Sequence, residues 1–317
     1  MKSALVLGAT GGTGQALVSE LLARGVRVTA FGRSEQRLKK ILEKYDHDRQ
    51  LNFKVGNVFE PGTIIEAAKA VEVIFQCANV NYQDMKNQLL PLGKSVMAAA
   101  DRLGKKIVFV DGIYVYGHQV AKGDEAHPQH PHTKKGKIRV EFEKLIFDDR
   151  WKKAQPLIVR LPDYYGPSSK NAYLQPTLAG MAAHKISVFI GNLRTPREYI
   201  YLPDAAKMIV NIAERDDSYR ENWNLPGAGL ISGHEIITIA RKLTGNRKIV
   251  IPLTQWMIAL IGLFDPFMRE VVEMMYLTKE GFILNGEKYE KRIGPLQKTP
   301  FQQGLAETLH ALMPAKR

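Results

Sequence analysis

Gly8, Gly11 and Gly14 stand at G-x-x-G-x-x-G spacing, with Gly12 as a fourth glycine. They lie between an apolar run, Ala4 to Leu7, and a helical pattern that leads into a second apolar run ending at Gly32-Arg33. Glycine lets the backbone approach a ligand closely. The helix that follows aims its free N–H groups and the positive end of its dipole at the same point. A bare glycine pattern carries little weight. A glycine turn that ends a strand and opens a helix, in a unit of this length, is the arrangement that holds a dinucleotide pyrophosphate.

The end of the second apolar run refines the ligand. A cofactor with a free ribose 2′-hydroxyl is held by an acidic residue about 20 residues past the glycines. Here the chain reads Ala30-Phe31-Gly32-Arg33-Ser34-Glu35, and a guanidinium suits a 2′-phosphate better than a diol. Glu35 falls beyond Ser34, which reads as a helix N-cap; Ser34 and Arg37 are further candidate contacts. The expected cofactor is NADP(H), preferred over NAD(H).

With 317 residues, 45% of them hydrophobic, the chain can bury a large core in two domains or lobes. The N-terminus enters a strand directly, without a signal peptide's charged and apolar regions. A single cysteine, Cys77, excludes an internal disulfide framework and suits a reducing compartment. A cytoplasmic location is therefore expected. The stretch Trp256 to Phe264, WMIALIGLF, is halted by Asp265 and Pro266 and is far shorter than the roughly 20 apolar residues that span a bilayer. It reads as a buried or lid helix, and no membrane partner is expected. The net charge of +13 is dispersed and lacks an aromatic-plus-basic signature, so nucleic acid is not an expected partner. A phosphate-bearing cofactor and an anionic substrate account for part of the charge through steering. His118, His127, His130 and His132 crowd one loop, but no carboxylate or cysteine completes a ligand set, so no metal is expected.

Further along, continuous apolar runs alternate with helical patterns. Strands are expected over 51–58, 71–79, 106–112 and 156–162. Helices are expected from Pro61 and from Asp84 to Leu103, the latter capped by Gly104. Such alternation predicts an α/β fold with a parallel sheet covered on both faces. After Pro162 the pattern loosens into a helix around 172–183, strands near 186–190 and 197–202, and helices over 203–214 and 232–244. The expected division is a Rossmann domain over 1–162, to which 203–224 returns, and a smaller C-terminal α/β substrate lobe over 163–317.

The chain resembles the short-chain dehydrogenase/reductase superfamily, and within it the extended NAD(P)-dependent epimerase/dehydratase branch. The matching segments are GATGGTG (8–14), GNV (56–58), VDGIYVYG (110–117), KGKIRVE (135–141), RLPDYYGP (160–167), REYIYLPDAA (197–206) and NLPG (224–227). The resemblance implies that Gly8, Thr10, Gly11, Gly12, Thr13 and Gly14 surround the pyrophosphate. It further implies that Asn57 and Val58 meet the adenine, and that Cys77, Ala78 and Asn79 pass the ribose and nicotinamide. Leu161 and Pro162 would lie near the carboxamide. Asn57 reads equally well as a turn residue.

Members of this superfamily interconvert carbonyls and alcohols with a Tyr-x-x-x-Lys helix and an upstream Ser. The phenol is the acid/base, and the ammonium lowers its pKa and holds the nicotinamide ribose. Counting from Gly117 puts Gly112 at the Ser position. Taking Lys137 as the lysine puts Thr133 at the Tyr position. A threonine hydroxyl is too weak an acid to replace a phenol with a pKa of about 10. Tyr114, two residues past the Ser position, is the favoured substitute acid; aromatic packing explains it as readily. Tyr82, Tyr116, Tyr164 and Tyr165 are other phenols near the strand ends. His132 titrates near neutrality beside the vacant position, and Lys137 itself could act if desolvated. Tyr82, Arg160, Tyr165 and Arg197 are candidate substrate contacts.

Taken together, these features predict an atypical NADP(H)-binding oxidoreductase or epimerase-like enzyme. Its substrate would be a small anionic or nucleotide-sugar-like carbonyl or alcohol, and a homodimer is compatible with the chain. The rival expectation, favoured by the missing Ser and Tyr, is a non-catalytic NADP(H)-sensing regulator that binds a partner protein.

Overall fold

The computed structural model describes residues 1–118, 122–170, 172–279 and 282–313. Over the first third of the chain, β1 (Ser3–Leu7), α1 (Gly12–Ala23), β2 (Arg27–Gly32), α2 (Glu35–Lys44), β3 (Leu51–Val55), α3 (Pro61–Ala68), β4 (Val73–Gln76), α4 (Met85–Leu103) and β5 (Lys106–Gly112) alternate. Then come β6 (Lys122–Gly123), α5 (Lys134–Ile146), β7 (Gln155–Leu161), β8 (Asp163–Tyr165), α6 (Gln175–Ala182), β9 (Ser187–Ile190), β10 (Arg197–Tyr201), α7 (Leu202–Ala213) and β11 (Asn222–Asn224). The remainder forms β12 (Leu230–Ile231), α8 (Gly233–Thr244), β13 (Val250–Leu253), α9 (Gln255–Ile261), α10 (Pro266–Met274), β14 (Ile283–Leu284), α11 (Glu287–Arg292) and α12 (Phe301–Leu312).

The described residues divide into two compact units. The first comprises Met1–Asp111, Lys135–Arg160 and Ala206–Trp223; the second comprises Gly112–Lys134, Leu161–Ala205 and Asn224 onward. The sequence suggested one crossing at 162 and a return over 203–224. The segment after β5 instead leaves the first unit early, because β6 pairs with the distant β14.

In the first unit the sheet order is β11-β7-β5-β4-β1-β2-β3. The run from β3 through β5 is parallel throughout. The chain starts at β1, winds outward to β3, then crosses back to β4 and continues outward, so the topological switch lies between β1 and β4. That point is where doubly wound sheets bind ligands. Residues of one strand alternate between the two faces. Leu5 and Leu7 therefore join a core with Ile74, Ile107, Phe109, Leu89, Val96 and Phe142 beneath α3, α4 and α5, while Ala4 and Val6 are buried on the opposite face. Gly104 takes φ 61° and caps α4 as a left-handed residue.

The second unit is built on a three-stranded ribbon, β12-β10-β8, and two strand pairs, β13–β9 and β14–β6. Its core gathers Leu178, Phe189, Tyr199, Tyr201, Ile236 and Leu305 among α6, α8 and α12. One expectation fails here. The Trp256–Phe264 stretch is not a buried helix: Ile258 is buried, but Trp256, Leu260, Leu263 and Phe264 are exposed. A seven-residue α9 presents too narrow a face to bury both sides of so apolar a run. Among the described residues, no helix is long and apolar enough to cross a membrane.

Candidate functional site

The turn between β1 and α1 is shaped so that only glycine fits at positions 8 and 14. Gly8 adopts φ 78°, and a Cβ there would lie 2.6 Å from the backbone nitrogen of Ala78. A Cβ on Gly14 would run into the Gly8 carbonyl oxygen. The Gly8 and Ala9 amides donate to Phe31 O at 3.0 and 3.2 Å, and Gly11 N donates to Gly8 O at 2.9 Å. The turn is thereby pinned against the end of β2. Gly11 is the N-cap of α1, no side chain caps the helix, and its first turn carries no acid. Thr13 and Gly14 therefore add N–H groups of the kind a helix start leaves without intrahelical partners, with a positive dipole end behind them. An anion fits this cradle, and a pyrophosphate fits its length of backbone.

Arg33 follows β2 directly, is exposed and belongs to none of the ion pairs among the described residues. Gly32 lies against Thr10, whose Cγ2 would be 3.7 Å from a Cβ at that position. Arg33, whose guanidinium has no protein partner among the described residues, thus directly follows the residue that meets the glycine turn. Ser34 instead caps α2, its Oγ accepting from Arg37 N at 3.4 Å.

The segment carrying Asn57 and Val58 is occupied internally. Asn57 Oδ1 accepts from Phe59 N at 3.2 Å, and its Nδ2 donates to Glu60 at 3.2 Å. This is a turn that starts α3, the plainer of the two expectations for that residue. Val58 joins the core. Past β4, Cys77 N donates to Leu7 O at 3.0 Å, and burial pushes its thiol up to about 12. The neutral thiol is the form this setting favours. Ala78 packs on the core. Asn79 Oδ1 accepts from Arg139 at 3.1 Å.

On α5 the structure separates two lysines. Its buried face carries Lys135, Gly136, Arg139, Phe142, Leu145 and Ile146, whereas Lys137 is exposed. With about 3.6 residues per turn, a residue two places on lies roughly opposite, so Lys137 cannot share the face of Lys135 and Arg139. Phe142 on that face meets Phe109 of β5 edge-on, with centroids 5.7 Å apart. Arg139 pairs with Asp111 at 2.8 Å, both side chains buried. Lys135 is 2% exposed, and its ammonium lies 5.3 Å from the centre of the Tyr82 ring. The lysine presented to the sheet is therefore Lys135, and counting back four from it reaches Pro131, which carries no hydroxyl at all. Thr133 is buried.

In the second unit, Tyr114 packs over the missing serine: a Cβ on Gly112 would sit 3.7 Å from Cε1 and Cζ of the Tyr114 ring. Tyr116 is engaged elsewhere. It is buried, with its hydroxyl bonded to the Asn224 side chain at 3.0 Å and donating to Asp124 O at 3.2 Å. His132 is exposed and stacks on His118 with centroids 3.9 Å apart, while Tyr276 meets it edge-on at 4.5 Å. His127 packs instead against Tyr116 and Phe282. Among the described residues, no three His, Cys, Asp or Glu side chains gather into a group that could hold a metal ion.

Three candidate substrate contacts are buried. Arg160 is fully buried and pairs with Glu143, which also accepts from Asn222 at 2.6 Å. A charge so enclosed is paired to offset its desolvation. Tyr165 is buried between Tyr201 and Phe301, with Gly304 leaving it room. Arg197 is buried, donates to Ile190 O at 3.0 Å and lies 4.9 Å over the Phe189 ring. Its neighbour Glu198 points the other way along the strand and accepts from Gly227 N and Leu284 N at 3.1 and 2.9 Å. Burial raises that carboxyl to about 7. Leu161 and Pro162 are both buried.

Lys135 and Arg139 escaped the counting that selected Lys137. The signal was available: Lys135, Arg139, Phe142 and Ile146 recur at helical spacing, and the apolar members of that stripe fix its phase.

A doubly wound parallel sheet with an uncapped glycine turn at its switch point defines a nucleotide-binding Rossmann protein. The chain belongs to the NAD dependent epimerase/dehydratase family, whose model matches residues 4–225. No curated protein sequence matches it. Among solved structures it is similar to UDP-glucuronic acid 4-epimerase from Bacillus cereus in complex with NAD, at 16% identity and a TM-score of 0.79 over 98% of each chain. UDP-glucose 4-epimerase from Thermotoga maritima with UDP-glucose matches at 15% identity and a TM-score of 0.77, again over 98% of each chain. The Bordetella bronchiseptica enzyme WbmH in complex with NAD+ matches at 16% identity and a TM-score of 0.73 over 98% of each.

Proposed function

We propose that this protein is an NADP(H)-dependent oxidoreductase or epimerase-like enzyme acting on the carbonyl or alcohol of a small anionic or nucleotide-sugar-like substrate, with a substituted catalytic acid. The observation that carries the reading is the glycine turn with no room for a side chain at positions 8 and 14, together with an exposed guanidinium at the end of β2 that has no protein partner among the described residues. The UDP sugars and NAD held by structurally similar epimerases support the substrate class.

When bound, a nicotinamide dinucleotide supplies the hydride donor or acceptor. The amides of Thr13 and Gly14, with the positive end of the α1 dipole behind them, hold the pyrophosphate. Arg33 neutralises the 2′-phosphate, where a bidentate guanidinium contact is strong and selective. Lys135, in place of Lys137, takes the ribose-holding role that the family resemblance gives to a lysine. Its buried setting beside Tyr82 and its shared face with the Arg139–Asp111 pair support this.

A carbonyl reduced at carbon must gain a proton at oxygen, and the alcohol must lose it in the reverse direction. The Tyr114 phenol holds that proton. The support is its ring lying over Gly112, where the family places the serine that orients the substrate oxygen. The test is a screen of carbonyl compounds and sugar nucleotides for NADPH oxidation. On any substrate found, Tyr114→Phe lowers the rate by about 100-fold or more, while His132→Gln stays within about threefold of the parent. An unchanged rate in Tyr114→Phe removes that residue as the acid.

A further inference from the structure

From Ile236 through Phe264 the chain carries no Asp or Glu, while Arg241, Lys242, Arg247 and Lys248 give it four positive charges. Its apolar residues are not all used in the core. Ile249 is 67% exposed, Trp256 65%, Leu263 65% and Phe264 91%. Hydrogen bonds gather the basic residues and two exposed isoleucines at the start of β13. Arg241 donates to Lys248 O at 3.4 Å, and Ile249 O accepts from Ser187 N at 3.1 Å, which brings exposed Ile186 alongside. From there β13 leads directly into α9.

The turn between α9 and α10 is closed on itself. The amides of Gly262, Leu263, Phe264 and Asp265 donate to carbonyls of α9. Arg269 donates from Nε to Gly262 O at 3.0 Å and from Nη2 to Leu263 O at 3.4 Å. The four apex amides and the Gly262 and Leu263 carbonyls therefore have partners inside the protein, and the Leu263 and Phe264 side chains are exposed. Internal satisfaction of the backbone is what an apolar medium demands of a segment that enters it.

We propose that this apex and its basic flank dock the protein on an anionic bilayer surface, with Trp256, Leu263 and Phe264 seated at the headgroup boundary and Arg247 and Lys248 against the lipid charges. Aromatic and aliphatic side chains beside basic residues form the composition of a segment that lies on a membrane without spanning it. An anionic surface also fits better than a second copy of the chain. Self-association through this patch would bring together two acid-free basic stretches, each on a molecule of net charge +13.

The experiment incubates the full chain with vesicles of phosphatidylcholine alone or with added phosphatidylglycerol, and measures co-sedimentation and Trp emission. Trp256 is the reporter: it is 65% exposed, whereas Trp223 is buried and Trp151 is half-buried with its indole N–H donating to Leu145 O at 2.7 Å, and Trp256→Phe removes the shift. The expected result is binding to the anionic vesicles with a blue shift, and little binding to neutral ones. Leu263→Gln/Phe264→Gln, and separately Arg247→Glu/Lys248→Glu, each lower the bound fraction by about tenfold without changing the melting temperature, because all four side chains are exposed. Absence of binding to anionic vesicles overturns the proposal. So does binding that survives the tip substitutions, and so does a concentration-dependent dimer, abolished by those substitutions, in a protein that ignores vesicles.

Discussion

The β1–α1 turn and the first turns of α5 both belong to the candidate site, but the sequence records them differently. The turn works through its backbone. Gly8 needs φ 78° and tolerates no Cβ beside Ala78, and Gly14 cannot carry one beside Gly8 O, so the residue types themselves state the geometry. The start of α5 works through side chains on a helix whose phase decides which of them reach the sheet. Lys135 and Lys137 are the same residue type two places apart, yet one is buried beside Tyr82 and the other faces solvent. A backbone site can be read by counting glycines. A side-chain site can be read only once the helix phase is known.

That contrast can be broken most sharply at Gly8. Gly8→Ala places a side chain in a left-handed conformation that costs about 1–3 kcal/mol and adds a clash with the Ala78 backbone. The expected outcome is a lowered melting temperature and loss of detectable binding of either NADPH or NADH by fluorescence titration. Gly62→Ala is the control. That position lies inside α3 with nothing within 4 Å of the new Cβ, and the change leaves stability unchanged or raised by about 0.4–1 kcal/mol.

The second test concerns α5. On any substrate turned over, Lys135→Ala lowers kcat by about 100-fold or more, while Lys137→Ala changes it by no more than about threefold. The reverse order would mean that the buried face is not the working face. Rescue of part of the loss by Lys135→Arg, which keeps the charge, would distinguish a charge-dependent role from simple packing.

Much of the fold was legible because strands buried on both faces leave continuous apolar runs. β1, β2, β4, β5 and β7 all begin or end within two residues of such a run. Gly104 and Ser34 marked helix ends through their capping chemistry. The excursion over 112–134 was not legible, since β6 and β14 are two-residue strands that carry no periodicity. The burial of Arg160, Tyr165 and Arg197 was not legible for a different reason. A charged or phenolic residue in a motif reads the same whether it meets a ligand or a buried partner. The partners Glu143, Ile190 O and the Tyr201–Phe301 pair are brought up only by the tertiary fold.

The most direct measurement is a pair of equilibrium titrations, NADPH and NADH, on the parent protein and on Arg33→Ala. The parent binds NADPH more tightly. Arg33→Ala weakens NADPH by about 10- to 100-fold, the loss of a charge-assisted bidentate contact, and leaves NADH unchanged. Equal affinity for the two nucleotides in the parent, or uptake of neither, would contradict the assignment of a phosphorylated ribose to the exposed guanidinium at the end of β2.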